Sequence, residues 1–507
     1  MWGVPMLPGL LPLFDAAGVR DADRRAIAGG IPGEQLMEVA GLLAAREILA
    51  AFPPGSAATV LVGPGNNGGD GMVVARHLAL AGWDVRVQAP GGRAPGGDDS
   101  ALMTARASDM GIGVDEVDLA SLHDDDRIIV DALLGTGTRG APRDGMAQVV
   151  QAVRDSGARV VALDMPTGVD GDTGAAPGPA IRAELTVTFA AEKAGLRIAP
   201  GRGLAGRIVV ADIGIPRHLM PEPSVLLAGD GVIAGIPRRG VDDDKYRAGG
   251  VLVVGGSTGL SGAVRLSSRA SLRAGAGIAV ACVPQAVRAE VAAGTAEVMV
   301  EGVPGADALS VDALDAIMDQ ASRVGAVAIG PGLGRSAGTT ALLRALLAAL
   351  EHPVVLDADG LWHLGDDLAA LRSRPGPTVI TPHSGEAARL LGVARAQVDF
   401  GRLTAACDLS AASGAVALLK GPGTMIQVPG ALPVVLKGGT AALATAGSGD
   451  VLTGVIAAFM ARGMDPGDAA IAGAAVHARA GVLAGRGDGT IAGDIIEALP
   501  EAMEVPA

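Results

Sequence analysis

Cysteine and aromatic residues are scarce in this chain of 507 residues: there are two cysteines, and Phe, Trp and Tyr together make up 2%. Two isolated thiols, Cys282 and Cys407, exclude a disulfide framework or a cysteine metal cluster and fit a reducing cytosol. With so few aromatic rings, Ala, Gly, Val and Leu must fill the interior. The composition is typical of a well-packed α/β protein.

A basic surface and a long apolar segment are missing as well. The formal net charge is −14, so we expect no nucleic-acid partner held by a positive face. No apolar run approaches the roughly 18–20 residues of a membrane-spanning helix, so we expect no membrane partner. The apolar start, Met1–Phe14, is broken by prolines and lacks the basic residues of a signal peptide. We therefore expect a cytoplasmic protein, and we expect it to form a homo-oligomer.

Lysine is rare among the 40 basic residues: only Lys193, Lys245, Lys420 and Lys437 occur. In a chain that otherwise uses arginine, a lysine can mark a place where a compact ammonium group is needed. The alternative is an ordinary surface position, and the sequence leaves both interpretations open for each lysine. Histidines other than His383 are scattered without a metal-binding spacing.

Two glycine-rich segments are present, and neither is a P-loop. Residues 63–70 read Gly-Pro-Gly-Asn-Asn-Gly-Gly-Asp, and residues 446–450 read Ala-Gly-Ser-Gly-Asp; each precedes a helical pattern. Each places backbone N–H groups at a helix N-terminus, where partial positive charge favours a phosphate. Each also ends in an aspartate, Asp70 or Asp450, which indicates proton chemistry or cation binding beside anion recognition. Two such sites far apart in the chain indicate two active domains.

Apolar runs alternate with helical patterns along both halves, which predicts two α/β domains with doubly wound, mostly parallel sheets. The pattern loosens between residues 215 and 249, and we predict domains at 1–222 and 223–507. The first domain is expected to be a Rossmann-like three-layer sandwich. The predicted helices of the first half are Glu34–Ala51, Gly71–Ala81, Ser100–Met110 and Gly145–Ser156. The predicted strands are Ala57–Val62, Arg127–Ala132, Arg159–Asp164, Leu185–Phe189 and Arg207–Val210, followed in the second half by Gly250–Gly255, Ile278–Val283, Val324–Gly330, Pro353–Asp357, Thr378–Thr381 and Ala415–Leu419.

Polar clusters follow three predicted strands of the first half, at residues 67–70, 131–137 and 164–168. Ligands of doubly wound sheets bind beyond the carboxyl ends of the strands. The three clusters are therefore expected to meet in one crevice.

In the second half, residues 381–386, 420–424 and 447–450 form a comparable set. Glycine amides can stabilise phosphoryl oxygens while Asp450 takes the proton of an alcohol, an arrangement that suits phosphoryl transfer. Glu386 is a candidate ligand of magnesium through water. A surface turn with a helix cap is the alternative for the Gly-Ser-Gly-Asp segment taken alone.

The second half resembles the ribokinase-like superfamily, and within it the ADP-dependent NAD(P)H-hydrate dehydratases. The resemblance lies in residues 250–257, 330–335, 356–359, 383–386, 419–424 and 445–454. It implies a ribokinase-like α/β domain that uses ADP as phosphoryl donor. His383 stands where many sugar kinases of the superfamily carry Asn, which favours the dehydratase. By resemblance, the hydrated nicotinamide nucleotide contacts Ala263, Gly332 or Gly334, His383 and Asp450, and the adenine nucleotide contacts Lys420, Gly421, Pro422, Gly423, Thr424 and Gly449.

The first half is similar to the NAD(P)H-hydrate epimerases, in residues 36–41, 65–71, 131–137, 162–170, 186–189, 193–195 and 212–216. The similarity implies potassium ligands Asn67, Asp131 and Thr167, the last replacing a frequent serine with its hydroxyl kept. It implies that the hydrated nucleotide is bound by Asn66, Asn67, Gly68, Gly69, Asp70, Gly135, Thr136, Gly137, Thr138, Arg139, Gly140, Ala141 and Asp164.

Together the two resemblances imply an enzyme that repairs hydrated NADH and NADPH. The first domain would interconvert the R and S forms, and the second would dehydrate the S form while converting ADP to AMP and phosphate. Asp164 is the first candidate for the acid or base of the epimerase, and Lys193 is the second. The alternatives are a small-molecule kinase with a regulatory N-terminal domain, or a first half that binds without catalysis. The joint presence of Asn67, Asp131, Asp164 and Lys193 counts against the second alternative.

Overall fold

The computed structural model describes residues 7–123, 126–137 and 139–505. Thr138, a predicted substrate contact, and the first six residues of the amino-terminal segment lie outside the described residues. The chain divides into two compact units. Residues 12–225 form one, here the N-terminal unit; the described residues up to Leu11 and from Leu226 onward form the other, here the C-terminal unit.

The sheet of the N-terminal unit has seven described strands, all parallel. Numbered along the chain after β1 (Leu10–Leu13), they are β2 (Ala57–Val62), β3 (Asp84–Ala89), β4 (Asp115–Glu116), β5 (Arg127–Ala132), β6 (Val160–Leu163), β7 (Leu185–Phe189) and β8 (Arg207–Ala211). Their order is β4-β3-β2-β5-β6-β7-β8. The order reverses between β2 and β5, so a crevice opens beyond the carboxyl ends of these two strands.

Helices cover both faces of this sheet. Ala58, Val60 and Val62 of β2 join one apolar cluster with the second and third helices, whereas Leu61 joins another with the fifth. This is the alternation expected of a strand buried on both faces. It confirms the three-layer sandwich. The helices of the unit are α1 (Ala16–Ala28), α2 (Gly33–Ala51), α3 (Asn66–Leu80), α4 (Asp98–Ser108), α5 (Asp144–Ser156) and α6 (Gly201–Leu204).

The C-terminal unit is built on an eleven-stranded sheet to which β1 also belongs. Its other strands are β9 (Val225–Ala228), β10 (Gly250–Val254), β11 (Ile278–Pro284), β12 (Met299–Val303), β13 (Ala326–Ile329), β14 (Val354–Leu356), β15 (Thr378–Ile380), β16 (Val416–Leu419), β17 (Met425–Gln427) and β18 (Val434–Leu436). The order is β1-β9-β18-β17-β16-β15-β14-β13-β10-β11-β12. From β12 to β16 neighbours are parallel, and β17 is antiparallel to both β16 and β18. The order reverses between β10 and β13, which places a second crevice at their carboxyl ends.

The helices of the C-terminal unit are α7 (Ser261–Arg273), α8 (Arg288–Ala292), α9 (Leu314–Ala321), α10 (Ala337–Ala349), α11 (Asp359–Leu364), α12 (Ala369–Arg372), α13 (Ser384–Leu391), α14 (Arg395–Phe400), α15 (Arg402–Ser413), α16 (Ser448–Ala461), α17 (Pro466–Leu483) and α18 (Ala492–Ala502). One face of the sheet packs against α7, α16, α17 and α18 in a continuous apolar core. Small residues dominate this core, as the shortage of aromatic rings predicts.

The two glycine-rich segments differ from their prediction in one respect: they form the first turns of helices. Helix α3 begins at Asn66 and α16 at Ser448, both earlier than the predicted helical patterns. Glycine is a weak helix former, but here its missing side chain permits close packing. A Cβ on Gly68 would lie 2.1 Å from the carbonyl oxygen of Gly63. Within the described part of the chain, no helix has the length and apolarity to span a membrane.

Candidate active sites

The crevice of the N-terminal unit holds a cavity of about 430 Å³ at the carboxyl ends of β2, β5, β6 and β7. The three polar clusters predicted to converge do meet at these strand ends. Predicted site residues that line the cavity are Asn66, Asn67, Asp70, Gly135, Thr136, Gly137, Asp164 and Lys193.

A buried ion pair lies against this cavity. Lys193 Nζ donates to Asp164 Oδ1 at 2.6 Å, and also to Thr188 Oγ1 at 3.0 Å and the carbonyl oxygen of Phe189 at 2.7 Å. All three ammonium protons therefore have acceptors. The Lys193 side chain is 2% exposed and that of Asp164 is 12% exposed, so the carboxylate is the partner that faces the cavity.

The Asp164 carboxylate is held from several sides. Its Oδ2 accepts the N–H of Thr136 at 3.1 Å, and its backbone has a φ of 62°, a strained conformation for a residue with a side chain. Burial opposes the charge of this group. The Lys193 ammonium and the hydrogen bonds from Thr136 together outweigh burial, and the pKa of Asp164 lies below its ordinary value. Asp164 is therefore ionised at neutral pH.

Asp70 is the opposite case in the same cavity. It lies in the second turn of α3 and is buried. Burial and the charge of Asp164 raise the pKa of Asp70 well above its ordinary value. Two carboxyl groups in one cavity, with pKa values shifted in opposite directions, make a suitable pair for giving and taking a proton.

The three predicted potassium ligands surround the segment that follows β5. The Thr167 hydroxyl donates to Asp131 Oδ1 at 2.7 Å and accepts the N–H of Leu134 at 3.0 Å. Burial raises the pKa of Asp131 to about 6. The side-chain amide of Asn67 is buried, and neither its oxygen nor its nitrogen has a hydrogen-bond partner. A buried amide without partners is costly, and a cation bound by its oxygen would remove the part of that cost that the oxygen contributes.

Other predicted contacts occupy different environments. The N–H groups of Gly68 and Gly69 donate to the carbonyl oxygen of Gly65 within the first turn of α3, so these glycines serve close packing. The Arg139 side chain is exposed and pairs with Asp172. The described residues that line the cavity do not include Arg139, Gly140 or Ala141.

In the C-terminal unit a second lysine–aspartate pair lies at the ends of β14 and β16. Lys420 Nζ donates to Asp357 Oδ1 at 2.6 Å, and the Thr453 hydroxyl of α16 donates to Asp357 Oδ2 at 2.7 Å. The Asp357 side chain is 2% exposed and that of Lys420 is 20% exposed. Here the ammonium faces outward and the carboxylate lies behind it. The sequence had marked Asp357 only as part of a motif.

Asp450 lies in the first turn of α16 beside this pair. Burial and the neighbouring Asp357 raise the pKa of Asp450 to about 7, against the opposing effect of Lys420. A Cβ on Gly449 would lie 3.3 Å from Lys420 Nζ, so the start of α16 and the ammonium are in contact. The helix N-terminus, the ammonium and a base of suitable pKa thus occupy one place.

A buried histidine supports the same turn. His477 of α17 lies 3.1 Å from the Ser448 hydroxyl through its Nε2. Burial lowers the pKa of His477 to about 4, so the ring is neutral. Sequence reasoning missed this residue because only the packing of α17 against α16 brings it to Ser448.

His383 and Glu386 form the N-cap of α13. His383 Nδ1 accepts the N–H groups of Gly385 and Glu386 at 3.0 and 3.1 Å, and Glu386 Oε2 accepts the N–H of His383 at 2.9 Å. Since Nδ1 accepts, the proton of the neutral imidazole resides on Nε2. One carboxylate oxygen of Glu386, Oε2, is used in the cap, and the other, Oε1, lies 3.6 Å from His383 Nε2. Among the described residues, no group of three or more His, Cys, Asp or Glu is arranged to hold a metal.

The predicted substrate loop after β13 is shaped by glycine. Gly332 has a φ of 59°, and a Cβ there would lie 2.3 Å from the carbonyl oxygen of Leu260 and 3.2 Å from the Cβ of Ala263. Gly334 donates its N–H to Asp359 Oδ2 at 3.0 Å. The predicted contacts Ala263, Gly332 and Gly334 are thereby brought to one edge of the sheet.

Two acidic residues separated by a single alanine, Asp357 and Asp359, reach different partners because of the backbone conformation of that alanine. Ala358 has a φ of 51°, which is strained for a residue with a Cβ. This turn directs Asp357 to Lys420 and Asp359 to Gly334 and Arg335. The site and its substrate loop are therefore tied to a single backbone kink.

Arg402 is a further residue that the sequence did not indicate. It is buried and donates to the carbonyl oxygens of Leu419 and Lys420 and to the Ser384 hydroxyl. Its guanidinium lies against Gly421, which has a φ of 134°. Arg402 thus fixes the turn that carries the predicted nucleotide contacts Lys420, Gly421, Pro422, Gly423 and Thr424.

Comparisons with known proteins agree with the division into two sites. Residues 251–501 match a family model described as NAD(P)H-hydrate dehydratase, and residues 33–195 match one described as YjeF-related protein N-terminus. The bifunctional NAD(P)H-hydrate repair enzyme Nnr of Moorella thermoacetica is 40% identical over 510 residues, covering 96% of both chains. The protein of the same name from Escherichia coli is 35% identical, over 93% of this chain and 89% of the relative. A solved structure titled ADP/ATP-dependent NAD(P)H-hydrate dehydratase, from Bacillus subtilis, is 26% identical with a TM-score of 0.47, over 54% of this chain and 97% of that one.

Proposed function

The chain belongs to the family of bifunctional NAD(P)H-hydrate repair enzymes, and from that premise we propose how its two sites divide the work. It is an epimerase and a dehydratase of hydrated NADH and NADPH. We assign epimerisation to residues 1–222 and ADP-dependent dehydration of the S form to residues 223–507. The observation that carries the dehydratase assignment is the placement of Asp450, a base with a pKa of about 7, against the Lys420 ammonium at the start of α16.

We propose that Asp450 takes the proton of the C6 hydroxyl as the hydroxyl oxygen attacks the β-phosphorus of ADP. The bond from that phosphorus to the oxygen bridging to AMP then breaks, and AMP leaves. The N–H groups at the start of α16 and the Lys420 ammonium stabilise the charge on the phosphoryl oxygens. In the second stage the C6–O bond breaks and phosphate leaves with the bonding pair. The ring nitrogen assists, and the proton lost from C5 passes to the departing phosphate as the double bond of NAD(P)H forms.

Magnesium fits this site through Oε1 of Glu386, which is not used in the helix cap and lies 3.6 Å from His383 Nε2, because Mg²⁺ is usually held by one or two carboxylates, substrate phosphates and water. Burial and Asp357 raise the pKa of Glu386, against the opposing effect of Lys420. A cation would offset that burial. Magnesium would neutralise phosphate charge, while His383 and Glu386 of this chain would orient its water shell.

In the N-terminal unit we propose that Asp70 gives a proton to the C6 hydroxyl, so that the C6–O bond breaks and water leaves with the help of the ring nitrogen. Asp164 then takes a proton from the water that adds to the other face of C6. Lys193 is a weaker candidate for the acid, because its three protons already have acceptors. Its role is to keep Asp164 ionised. The strained backbone of Asp164 aims the carboxylate into the cavity.

Potassium fits the same unit, as the buried amide of Asn67 without partners indicates. Asn67, Asp131 and Thr167 would hold the ion, and it would supply charge compensation for the buried Asp131 carboxylate. We expect saturating KCl to raise the free energy of unfolding by about 1 kcal/mol relative to tetramethylammonium chloride of equal ionic strength. The measurement is the difference in melting temperature between the two salts. The variant Asn67→Ala should lose this difference. An equal effect in the variant would contradict the site.

The function as a whole is tested with an R/S mixture of hydrated NADH supplied with ADP. Recovery of the dihydronicotinamide absorbance should reach completion with free phosphate and AMP as products. A stable phosphoester would instead indicate a small-molecule kinase. Recovery that stops when the S form is consumed would contradict the epimerase assignment.

The donor is tested separately with ADP and with ATP freed of ADP. The β-phosphoryl of ADP is expected to sit over the amides of residues 447–449 within reach of Asp450. ATP would have to withdraw its adenosine by one phosphate to present its γ-phosphoryl there, which would weaken the contacts of residues 420–424. We expect a higher kcat/KM with ADP. A higher value with ATP, yielding ADP, would contradict this donor assignment.

The cytoplasmic location and the homo-oligomer stay predictions. Cell fractionation with an antibody to the chain and light scattering of the purified protein check them. A membrane-bound or secreted pool, or a monomeric mass, would contradict them.

A further inference from the structure

Trp362 stands out because aromatic residues make up only 2% of the chain and this ring is partly exposed. It lies in α11, directly after the turn that directs Asp357 and Asp359 apart. Its indole is 38% exposed. The guanidinium carbon of Arg335 lies 5.3 Å from the ring centroid and that of Arg389 lies 5.4 Å from it. An indole holding two guanidinium groups fixes two positive charges at one place on the surface.

Both arginines are also tethered through their own hydrogen bonds. Arg335 donates from Nε to Asp359 Oδ1 at 2.9 Å, a bond that leaves its two terminal nitrogens for other acceptors. Arg389 donates from one terminal nitrogen to the carbonyl oxygens of Leu361 and Trp362 at 2.8 and 2.6 Å. The Arg335 side chain is nevertheless 60% exposed. The two groups are therefore positioned in advance and open to solvent.

Two guanidinium groups held close together repel each other. Burial and the charge of Arg335 lower the pKa of Arg389, against the opposing effect of Glu386. Asp359 pairs with Arg335, whereas the recorded hydrogen bonds of Arg389 go to uncharged carbonyl oxygens. An anion between the two would relieve this repulsion.

The pair adjoins the proposed dehydratase site. Arg335 follows Gly334 in the loop whose neighbour Gly332 contacts Ala263, and Gly334 is bound to the same Asp359. The charge of Asp359 also acts on Asp450. A substrate whose ring lies at Asp450 thus has the arginine pair along the same edge of the sheet.

We infer that Arg335 and Arg389, held on Trp362, form a subsite for a phosphate of the hydrated dinucleotide, away from the ring that reacts. Guanidinium groups bind phosphate in a bidentate fashion, and a pair of them suits a doubly charged group. The substrate offers two sources: the diphosphate bridge and, in hydrated NADPH, the 2′-phosphate. The inference rests on the proposed function, because that function supplies the ligand.

The test compares Arg335→Gln with wild type on three hydrated substrates: NADH, NADPH and reduced nicotinamide riboside, which has no phosphate. We expect the KM of a phosphate-bearing substrate to rise about tenfold, as for a lost charge-assisted hydrogen bond, with kcat and the KM of ADP unchanged. Equal rises for both dinucleotides assign the diphosphate, and a rise for NADPH hydrate alone assigns the 2′-phosphate. Arg335→Lys should recover part of the loss. Arg344→Gln, at an exposed position of α10, is the matched control and should behave as wild type.

An unchanged KM for both dinucleotides, an equal rise for the riboside, or a rise confined to ADP would overturn the subsite. Calorimetric binding of the products NADH and NADPH separates this result from a failure of the proposed function. Suppose that wild type turns over no hydrate but binds NADH or NADPH about tenfold more tightly than Arg335→Gln does. That result would support the subsite and contradict the proposed function. If wild type neither turns over nor binds them, both are overturned.

Discussion

Each of the two sites contains a lysine–aspartate ion pair, but the partner that is more deeply buried differs between the sites. In the N-terminal unit the buried partner is the lysine, Lys193, and the carboxylate of Asp164 faces the cavity. In the C-terminal unit the buried partner is the aspartate, Asp357, and the ammonium of Lys420 faces outward. Each pair lies at the carboxyl ends of parallel strands in a doubly wound sheet.

The outward partner determines what each site can hold. A carboxylate kept ionised by a lysine behind it is suited to take a proton, and Asp164 has a pKa below its ordinary value for that reason. An ammonium held by a carboxylate behind it is suited to meet phosphate oxygens, and Asp357 together with Glu386 raises the pKa of Lys420 against the effect of burial. The base of the second site is a separate residue, Asp450, whose pKa is raised instead.

The largest expected effect comes from removing that separate base. Asp450→Asn should lower kcat of dehydration by roughly 10²–10⁴-fold, as loss of a general base does, while ADP binding remains largely intact. The measurement is turnover of pure S substrate together with calorimetric binding of ADP. Asp366→Asn, at an exposed position of the same unit, is the control. Near-normal turnover of Asp450→Asn would contradict the assignment of Asp450 as the separate base of the C-terminal unit.

Removing the outward carboxylate of the N-terminal unit should affect only the other reaction. Asp164→Asn is expected to slow epimerisation by roughly 10²–10³-fold and to leave dehydration of the S form unchanged. With an R/S mixture, the S form should disappear at the normal rate and the R form only as fast as it epimerises spontaneously. Asp155→Asn serves as the exposed control in this unit. Equal loss of both activities would indicate that the sites are not independent.

The difference in depth predicts different losses of stability when each lysine is replaced. Lys193→Met should lower the free energy of unfolding by about 3 kcal/mol, because it leaves a buried carboxylate without its partner. Lys420→Met should lower it by more, about 4 kcal/mol, because the carboxylate left without its partner, Asp357, is 2% exposed, against 12% for Asp164. Denaturant unfolding of each variant measures both values. Equal losses would contradict the assigned order of depth.

The pH profiles should separate the two bases. The carboxylate form of Asp450 is required, and its pKa is raised, so kcat/KM of dehydration should fall as pH falls through about 7, by about tenfold for each further pH unit. The pKa of Asp164 is lowered, so epimerisation should keep its rate as pH falls through 7. It should lose rate only as Asp131, the proposed potassium ligand with a pKa of about 6, takes up a proton. Initial rates on separated R and S substrates check this. Coincident profiles would show that the two bases do not differ as described.

The sequence predicts the strands well where they are buried on both faces. The runs of β2, β5 and β7 have the predicted ends, because short runs rich in apolar and β-branched residues, buried at nearly every position, leave few alternatives. Strands β1, β3, β4, β9, β12, β17 and β18 were missed. They are short or carry charged residues, so their pairing depends on neighbours that the local pattern does not contain.

The site residues follow the same rule: those in local motifs are predicted from the sequence, and those that depend on distant segments are not. Residues carried by glycine-rich motifs were found, and their convergence follows from strand order. Arg402, His477 and the partner of Lys420 were not found, because each acts through a contact between distant segments. That Glu386 uses Oε2 in the helix cap and holds Oε1 beside His383 Nε2 also needs the structure, since both contacts depend on the side-chain conformations at the start of α13.

The small number of lysines has a practical consequence for chemical modification. The described structure places Lys193 in the interior and Lys420 largely covered, whereas Lys245 and Lys437 lie exposed. Amine-reactive dyes and surface-coupling reagents should therefore attach, among the lysine side chains, mainly at these two positions, both of which lie in the C-terminal unit. Peptide mass mapping after brief labelling would give a simple pattern, and any label on Lys420 that ADP suppresses would report nucleotide occupancy directly.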